Sequence, residues 1–555
     1  MLLATALGIA LAVVVTFPLA LRLGTHVLED GSYDPFQFLW NLWWVRESLV
    51  ARHTNPFFSR AIFYPIGVPL LFHTFSFPLG VLSIPLQLLL PGGVLAAHNL
   101  LILLAPAATF LATALLAREV TGDPWAALAA GLVAAVNPVA VWFAPVLYLD
   151  CTYLIAAALW AWWCLQRTRR LGWAVVVVAF VGTLVFTSQE YAMMTLGLLA
   201  LDTTLRAILP TVLGLRRAWW PGTLGVWGVL GIGLAALASM ALGAAASPPP
   251  PMHLLLGSGY LAGFVAPPWL VPPATPFWTL LYLGTVPIGL AAVAALRGGR
   301  RAAPWLVALV ATLAMALGPH LHLHHPAPTL KLPPEGLVPS GPVGPYALAL
   351  QLVPLLRWFR APYRWVAPAQ VVLAVVVAIA VAAVRAGITA PARRRACTVL
   401  LLAAIALGAG VDTYGLRAPI VPAAVPRVYE IVRDGPERGA VLDLPSGFVQ
   451  DHLALFSSLY MYYQTRHGRP LLDGTVSRTP PGATFVWQRE ITDFSSLPYV
   501  EWVVVHRDLL PLAYPSSTAQ LAAIERLLAT EGELVARDGA TELYHLRTFR
   551  PDSVR

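Results

Sequence analysis

Glu29-Asp30-Gly31-Ser32-Tyr33-Asp34-Pro35, followed at once by Phe36-Gln37-Phe38-Leu39-Trp40-Asn41-Leu42-Trp43-Trp44, decides how the rest of the chain is read. The stretch comes directly after the first apolar run, Leu2 to Leu21. Three carboxylates fall within six residues, and an aromatic amphipathic segment then begins. Asp34 before Pro35 reads as a helix N-cap with proline at the first helical position. The helix that follows sets Phe36, Leu39, Trp40, Trp43 and Trp44 on an apolar side and Gln37, Asn41, Arg46 and Glu47 on a wetter one. Tryptophan favours the membrane–water boundary, so the spacing predicts a helix lying along the bilayer surface. Acidic groups are then held at the mouth of a membrane domain. The plainer alternative is a solvated turn followed by an interfacial anchor.

The composition supports a membrane setting. Of 555 residues, 58% are hydrophobic and only 11% are charged, against roughly 25% charged in soluble domains. The net charge of +9 does not point to nucleic acid, because the basic residues fall in short clusters between apolar runs, the positive-inside pattern. The three cysteines, Cys151, Cys164 and Cys397, lie in or beside apolar runs without metal-type spacing, which excludes a disulfide framework or thiolate metal site. No small-residue cleavage motif precedes Arg22, so Leu2 to Leu21 is expected to be a retained span and not a signal peptide.

A span needs about 20 apolar residues, and about eleven segments qualify, some of them shorter: 2–21, 94–117, 124–144, 151–166, 172–188, 191–209, 222–244, 276–296, 303–319, 364–385 and 397–414. The clusters around Arg167, Arg216, Arg297 and Arg393 are expected in the cytoplasm. Loop 22–93, the turn at Asp150, the turn at Ser188 to Tyr191, loops 246–275 and 320–363, and the chain from 415 on then fall outside. Phe77 to Leu90 is apolar but carries Pro78 and Pro85, and reads as a re-entrant or surface-lying piece. Tyr346 to Phe359 reads likewise. The run Ser247-Pro248-Pro249-Pro250-Pro251 is an extended connector. The loop with His320, His322, His324 and His325 reads as polar cover, since no carboxylate nearby completes a metal set.

Beyond residue 415 the pattern changes. Gly439 to Pro445 and Val500 to His506 read as short buried strands, Ala519 to Glu531 as a helix, and Leu534–Arg537 with Glu542–Leu546 as a strand pair turned by Asp538-Gly539. The expected fold is therefore mainly α: a polytopic transmembrane bundle over 1–415, with the first outer loop at 22–93, and a small extracytoplasmic α/β domain over 416–555. That domain has no glycine-rich phosphate loop and no nucleophile elbow.

Polar groups at membrane depth are costly unless they are used or paired. The outer face offers Glu29, Asp30, Asp34, Asp150, Gln189 and Glu190. Asp34 and Asp150 fall at the same level in this topology. Two such carboxylates suit a hard divalent cation such as Mg or Mn, and either one suits general-base work on a hydroxyl. Asp150 reads equally well as a plain N-cap, and Glu190 as a hairpin-turn residue. Arg357, Arg360 and Arg364 surround Ala361-Pro362-Tyr363, where they either bind a lipid phosphate or snorkel to headgroups. His73 and His98 are lone outer histidines that read first as structural.

At this point the chain resembles the GT-C superfamily of polytopic glycosyltransferases, which use lipid-phosphate-linked sugars. It is most similar to a bacterial branch of that type, on Asp34-Pro35 with Trp40-Asn41-Leu42-Trp43-Trp44, Tyr64-Pro65-Ile66-Gly67, His73-Thr74, Arg360-Ala361-Pro362-Tyr363-Arg364 and Tyr460-Met461-Tyr462-Tyr463-Gln464-Thr465. The resemblance implies a catalytic base or metal ligand at Asp34, with Asp30 as competitor, and a second acid at Asp150. Glu190, Arg360, Arg364, His73 and Trp40 then become the expected substrate-binding residues. It further implies a polyprenyl-phosphate donor of a hexose or pentose, a glycan, lipid or protein acceptor, and a bacterial plasma-membrane location. The chain departs from better-known branches in lacking an Asp-Glu pair at the first-loop helix and a large β-rich acceptor domain. The competing function is a transporter or flippase of lipid-linked saccharides. That reading needs ionisable groups in mid-span, and Asp202 is the main candidate.

Overall fold

The computed structural model describes residues 2–29, 31–217, 220–243, 257–270, 280–324, 341–359, 361–436, 438–446, 454–477, 493–513 and 518–553. By contact these fall into two units. One takes Met1–Leu21, Ile102–Gly243 and Ser247–Ala418; the other takes Arg22–Leu101 and Pro419–Arg555. The first loop and the C-terminal residues thus share one unit.

The first unit is helical, and its axis is Val366–Ala386. Every residue from Val366 to Val381 is buried, as expected for a helix that is apolar all round. Pro124–Ala135, Thr285–Arg297 and Gly299–Ala316 pack against it. Pro391–Asp412 is the opposite case, with Val399, Leu400 and Leu407 more than half exposed. Among the described residues three helices, Gly93–Thr121, Pro362–Ala386 and Pro391–Asp412, are long and apolar enough to cross a membrane. The apolar segment 124–144 is not one helix. It breaks into Pro124–Ala135 and Pro138–Phe143. Pro138 has no N–H to continue the first helix, and Asn137 caps the second by accepting from the Ala140 N–H at 3.0 Å. The buried Asp412 likewise caps Thr285–Arg297, accepting from the Thr285 N–H and Oγ1, each at 2.8 Å.

In the second unit a four-stranded sheet runs Ala440–Leu444, Val500–His506, Thr541–Leu546, Gly532–Asp538. The first pair is parallel and the others are antiparallel. Gly539, at φ 58°, supplies the left-handed residue of the terminal hairpin. Ala440–Leu444 and Val500–His506 are buried throughout, as short apolar runs predict, and the terminal hairpin follows the alternation of its sequence. Thr518–Glu531 takes up the expected helix, and the helix Ala454–His467 was not anticipated. A second pairing joins His26–Leu28 antiparallel to Ile420–Pro422.

The helix Asp34–Arg46 lies inside this unit. Pro35 through Val45 are all buried, and Trp40, Trp43 and Trp44 share one core with Tyr429, Tyr460, Leu442 and Val503. The expectation of a wet face and a lipid-facing face is therefore corrected. Gln37 and Asn41 are buried because they bond to the chain at 73–74: Gln37 Nε2 lies 2.8 Å from His73 Nε2, and Asn41 Nδ2 donates to the Thr74 carbonyl at 3.0 Å. The N-cap is Tyr33, in the left-handed region at φ 59°, and not Asp34. Phe77–Leu89 is helical through Pro85. It buries Leu79, Gly80, Ser83 and Gln87 and exposes Leu82, Leu88 and Leu89.

Candidate active site

In the second unit, the turn before Asp34 is built by Glu29. Its Oε1 accepts from the Gly31 N–H at 2.8 Å and the Tyr33 N–H at 2.9 Å, which sets Asp34 at the first helical position. Asp34 is half-buried, and its N–H donates to Ser32 Oγ at 3.2 Å. The Tyr33 ring meets Phe456 edge-on at 5.6 Å. Burial, then the charges of Glu29 and Asp508, hold the Tyr33 hydroxyl above its usual range. Asp30, the competitor for the same role, lies outside the described residues.

His73 and Trp40 have other work in this unit. The Ser477 N–H donates to His73 Nδ1 at 3.0 Å, and His73 Nε2 stands 2.8 Å from Gln37 Nε2 and 3.2 Å from Asn41 Oδ1. Burial lowers the His73 pKa to about 3, which keeps the ring uncharged. Trp40 is fully buried; its Nε1–H donates to Gln464 Oε1 at 2.6 Å, and its ring stacks on Trp44 at 5.7 Å. A ligand would reach Trp40 only through the core.

In the first unit, Asp150 sits in the turn between Pro138–Phe143 and Thr152–Thr168. It is not a cap: Cys151 holds that position, without a side-chain cap bond. Asp150 is 7% exposed, and its Oδ2 has no hydrogen-bond partner among the described residues. Burial without a neighbouring cation pushes its carboxyl well above the usual carboxylate range. It lines a cavity of about 10 Å³ with Asn137, Thr152 and Gln370, room for about one water.

Glu190 and Arg364 come together. Arg364 Nη1 donates to Glu190 Oε2 at 2.6 Å, and both side chains are largely buried. The guanidinium also stands 5.6 Å from the Tyr148 ring and 5.9 Å from the Tyr363 ring, within cation–π range. Tyr191, beside Glu190, donates from its hydroxyl to the Leu149 carbonyl at 2.9 Å. The turn carrying Asp150 is thereby tied to the Glu190–Arg364 pair. Arg360 lies outside the described residues, as do His325 and the run from Ser247 to Pro251. Asp202, the mid-span acid of the transport reading, is fully engaged: Trp162 Nε1–H and Arg206 Nε both donate to its Oδ2 at 2.6 Å.

Among the described residues no three His, Cys, Asp or Glu side chains gather to hold a metal. Asp150 keeps the company of amides, one hydroxyl and apolar side chains, whereas Mg or Mn wants several carboxylate or water oxygens. One further group was missed by sequence reasoning. At the ends of the parallel strands, Asp443 Oδ1 takes the Tyr429 hydroxyl, and His506 Nε2 stands 3.2 Å from both. The Tyr460 ring stacks on His506 at 5.0 Å. The only sequence signal was a polar residue at or next to the end of each buried strand.

No family model matches the chain, and no curated protein matches it in sequence. Solved structures do. The arabinofuranosyltransferase AftD from Mycobacteria aligns over 98% of this chain with a TM-score of 0.53 at 15% identity. The chain spans 39% of the AftD length. The oligosaccharyltransferase of Archaeoglobus fulgidus, solved with a tethered acceptor peptide, gives 0.47 at 13% identity over 100% of this chain and 74% of its own. ArnT from Cupriavidus metallidurans, solved with undecaprenyl phosphate, gives 0.44 at 14% identity over 98% and 99%. These neighbours are GT-C glycosyltransferases. At such identities the likeness speaks to the fold alone, and AftD carries it: the chain has the fold of that part of the AftD arabinofuranosyltransferase which it matches.

Proposed function

We propose that the protein is a membrane glycosyltransferase that moves a hexose or pentose from a polyprenyl-phosphate donor to a hydroxyl of an extracytoplasmic glycan, lipid or protein. The observation that carries this reading is the GT-C fold, matched along nearly the whole chain. About eleven spans, with residues 416–555 outside a bacterial plasma membrane, complete the arrangement.

Asp34 takes the proton from the acceptor O–H. The acceptor oxygen bonds to the anomeric carbon as the bond from that carbon to the phosphate oxygen breaks, and the configuration inverts. Polyprenyl phosphate leaves with the electron pair. Asp150, whose buried carboxyl is pushed well above the usual carboxylate range, suits a hydrogen bond to the departing phosphate. Arg364 meets the phosphate charge, with Glu190 holding the guanidinium in place. No step runs through a cation.

The engagement of Asp202 by Arg206 and Trp162 leaves the transport reading without its mid-span acid. The separating experiment reconstitutes the protein in vesicles with a polyprenyl-phosphate-linked sugar on the lumenal side. Release of free polyprenyl phosphate on adding an acceptor extract supports transfer. Movement of intact donor across the bilayer, without release, overturns it.

A further inference from the structure

At one end of the helical unit, three turns converge on an open cavity of about 630 Å³. Arg297 and Arg301 flank the turn between Thr285–Arg297 and Gly299–Ala316. Arg385 closes the central helix, Arg394 stands in the first turn of Pro391–Asp412, and Asp123 caps Pro124–Ala135. Four guanidinium groups therefore face one carboxylate. That carboxylate is already engaged: it accepts from the Trp125 N–H at 2.8 Å and from Arg385 Nε at 2.7 Å. Among the described residues, no carboxylate pairs with Arg297, Arg301 or Arg394.

The positive-inside rule explains arginines in these turns but does not require them to share a cavity. Here the cluster is sorted: Arg297, Arg301, Arg385 and Arg394 line the cavity, whereas Arg300, Arg393 and Arg395 of the same turns do not. The hairpin is drawn tight at Gly298, where a Cβ would meet the Ala294 carbonyl and the Ala302 Cβ, each at 2.5 Å. Trp125, 43% exposed, stands at the edge beside Arg385, the placement of a membrane-boundary tryptophan. The Asp150 cavity touches Gln370 on the same helix that ends in Arg385. Fifteen residues of rise separate those two positions, roughly 22 Å.

We infer that this cavity is a second phosphate site, on the cytoplasmic face, that takes the phosphate of an anionic lipid headgroup. Its volume suits a headgroup, its forked donors suit phosphate oxygens, and basic pockets between helices at that face hold such lipids. The inference is independent of the glycosyltransferase reading, because none of its residues belongs to the proposed chemistry.

The test uses the full chain in detergent, titrated with phosphatidylglycerol, phosphatidylcholine or inorganic phosphate and read by native mass spectrometry and thermal shift. R297Q/R301Q is the main variant, since both side chains are exposed and neither makes a bond the fold needs. Wild type should retain phosphatidylglycerol over phosphatidylcholine, and the double variant should bind it roughly thirtyfold more weakly, from about fivefold per arginine near a charged surface. If inorganic phosphate binds as tightly as phosphatidylglycerol and shows the same loss, the phosphate site stands and its source is a soluble phosphate compound. Equal retention of the two lipids, or no loss in a variant of unchanged elution and melting, overturns the site. R300Q/R395Q, outside the cavity, should change nothing; an equal loss there would reduce the effect to general charge and also overturn it.

Discussion

Replacing Glu190 by glutamine tests a largely buried charge pair in the helical unit. Arg364 is 7% exposed and Glu190 15%, so little water is available to either. Removing the carboxylate leaves a guanidinium that cannot lose its proton. Breaking one partner of a buried pair costs about 3–5 kcal/mol, and the Tyr148 and Tyr363 rings return about 1 kcal/mol of that. Glu190→Gln should thus cost roughly 2–4 kcal/mol. Arg364→Met should cost less, because the orphaned Glu190 can neutralise itself by taking a proton. The double variant should be more stable than Glu190→Gln alone, since no charge is left buried. Thermal midpoints of the four proteins in one detergent, each at matched protein and lipid content, give the cycle. Additive losses, or a Glu190→Gln protein that melts with the wild type, would refute the pairing.

Acid should loosen the other unit. Burial lowers His73 to about 3, and burial with the Arg469 charge lowers His467 to about 3. Such a histidine binds fewer protons folded than unfolded, so its stabilisation is complete above about pH 6.5 and drains as pH falls toward 3. Between pH 7 and 5 the loss is about 2 kcal/mol per histidine, and His73→Gln should flatten the melting-versus-pH curve; an unchanged slope would count against a buried neutral ring. Gly80→Ala should destabilise by about 1–3 kcal/mol, because its Cβ would meet Val45 Cγ2 at 2.5 Å. Val45→Ala on that background should recover part of the loss, and a Gly80→Ala protein with normal melting would contradict the close approach.

The periodic features were legible in the sequence. Strands 440–444 and 500–506 follow from short buried apolar runs, the hairpin at Gly539 follows from alternation and turn chemistry, and the apolar runs contain helices where expected. What failed was the reading of Trp40, Trp43 and Trp44. Their interfacial placement assumed that aromatic residues beside a membrane span face lipid. In the structure the residues from Pro419 on supply a partner core, a long-range effect that no local pattern carries. Gln37 and Asn41 misled for the same reason, since a buried amide with a partner looks in sequence like a wet one. The Glu190–Arg364 pair joins positions 174 residues apart, so sequence reasoning could name both residues without linking them. The motif singles out Asp34 as a candidate, yet the group that shapes its turn is Glu29, whose hydrogen bonds to backbone N–H groups leave no sequence signature beyond an acid in a turn.

Asp34→Asn measures the central claim most directly. The substitution keeps the size and the first-turn position of the side chain and removes its capacity to take a proton. In cells depleted of the native protein, membranes carrying the variant at wild-type level should transfer sugar from a polyprenyl-phosphate donor at least about a hundredfold more slowly, the usual contribution of a positioned base. Transfer at the wild-type rate, with protein level and melting unchanged, would contradict Asp34 as the base.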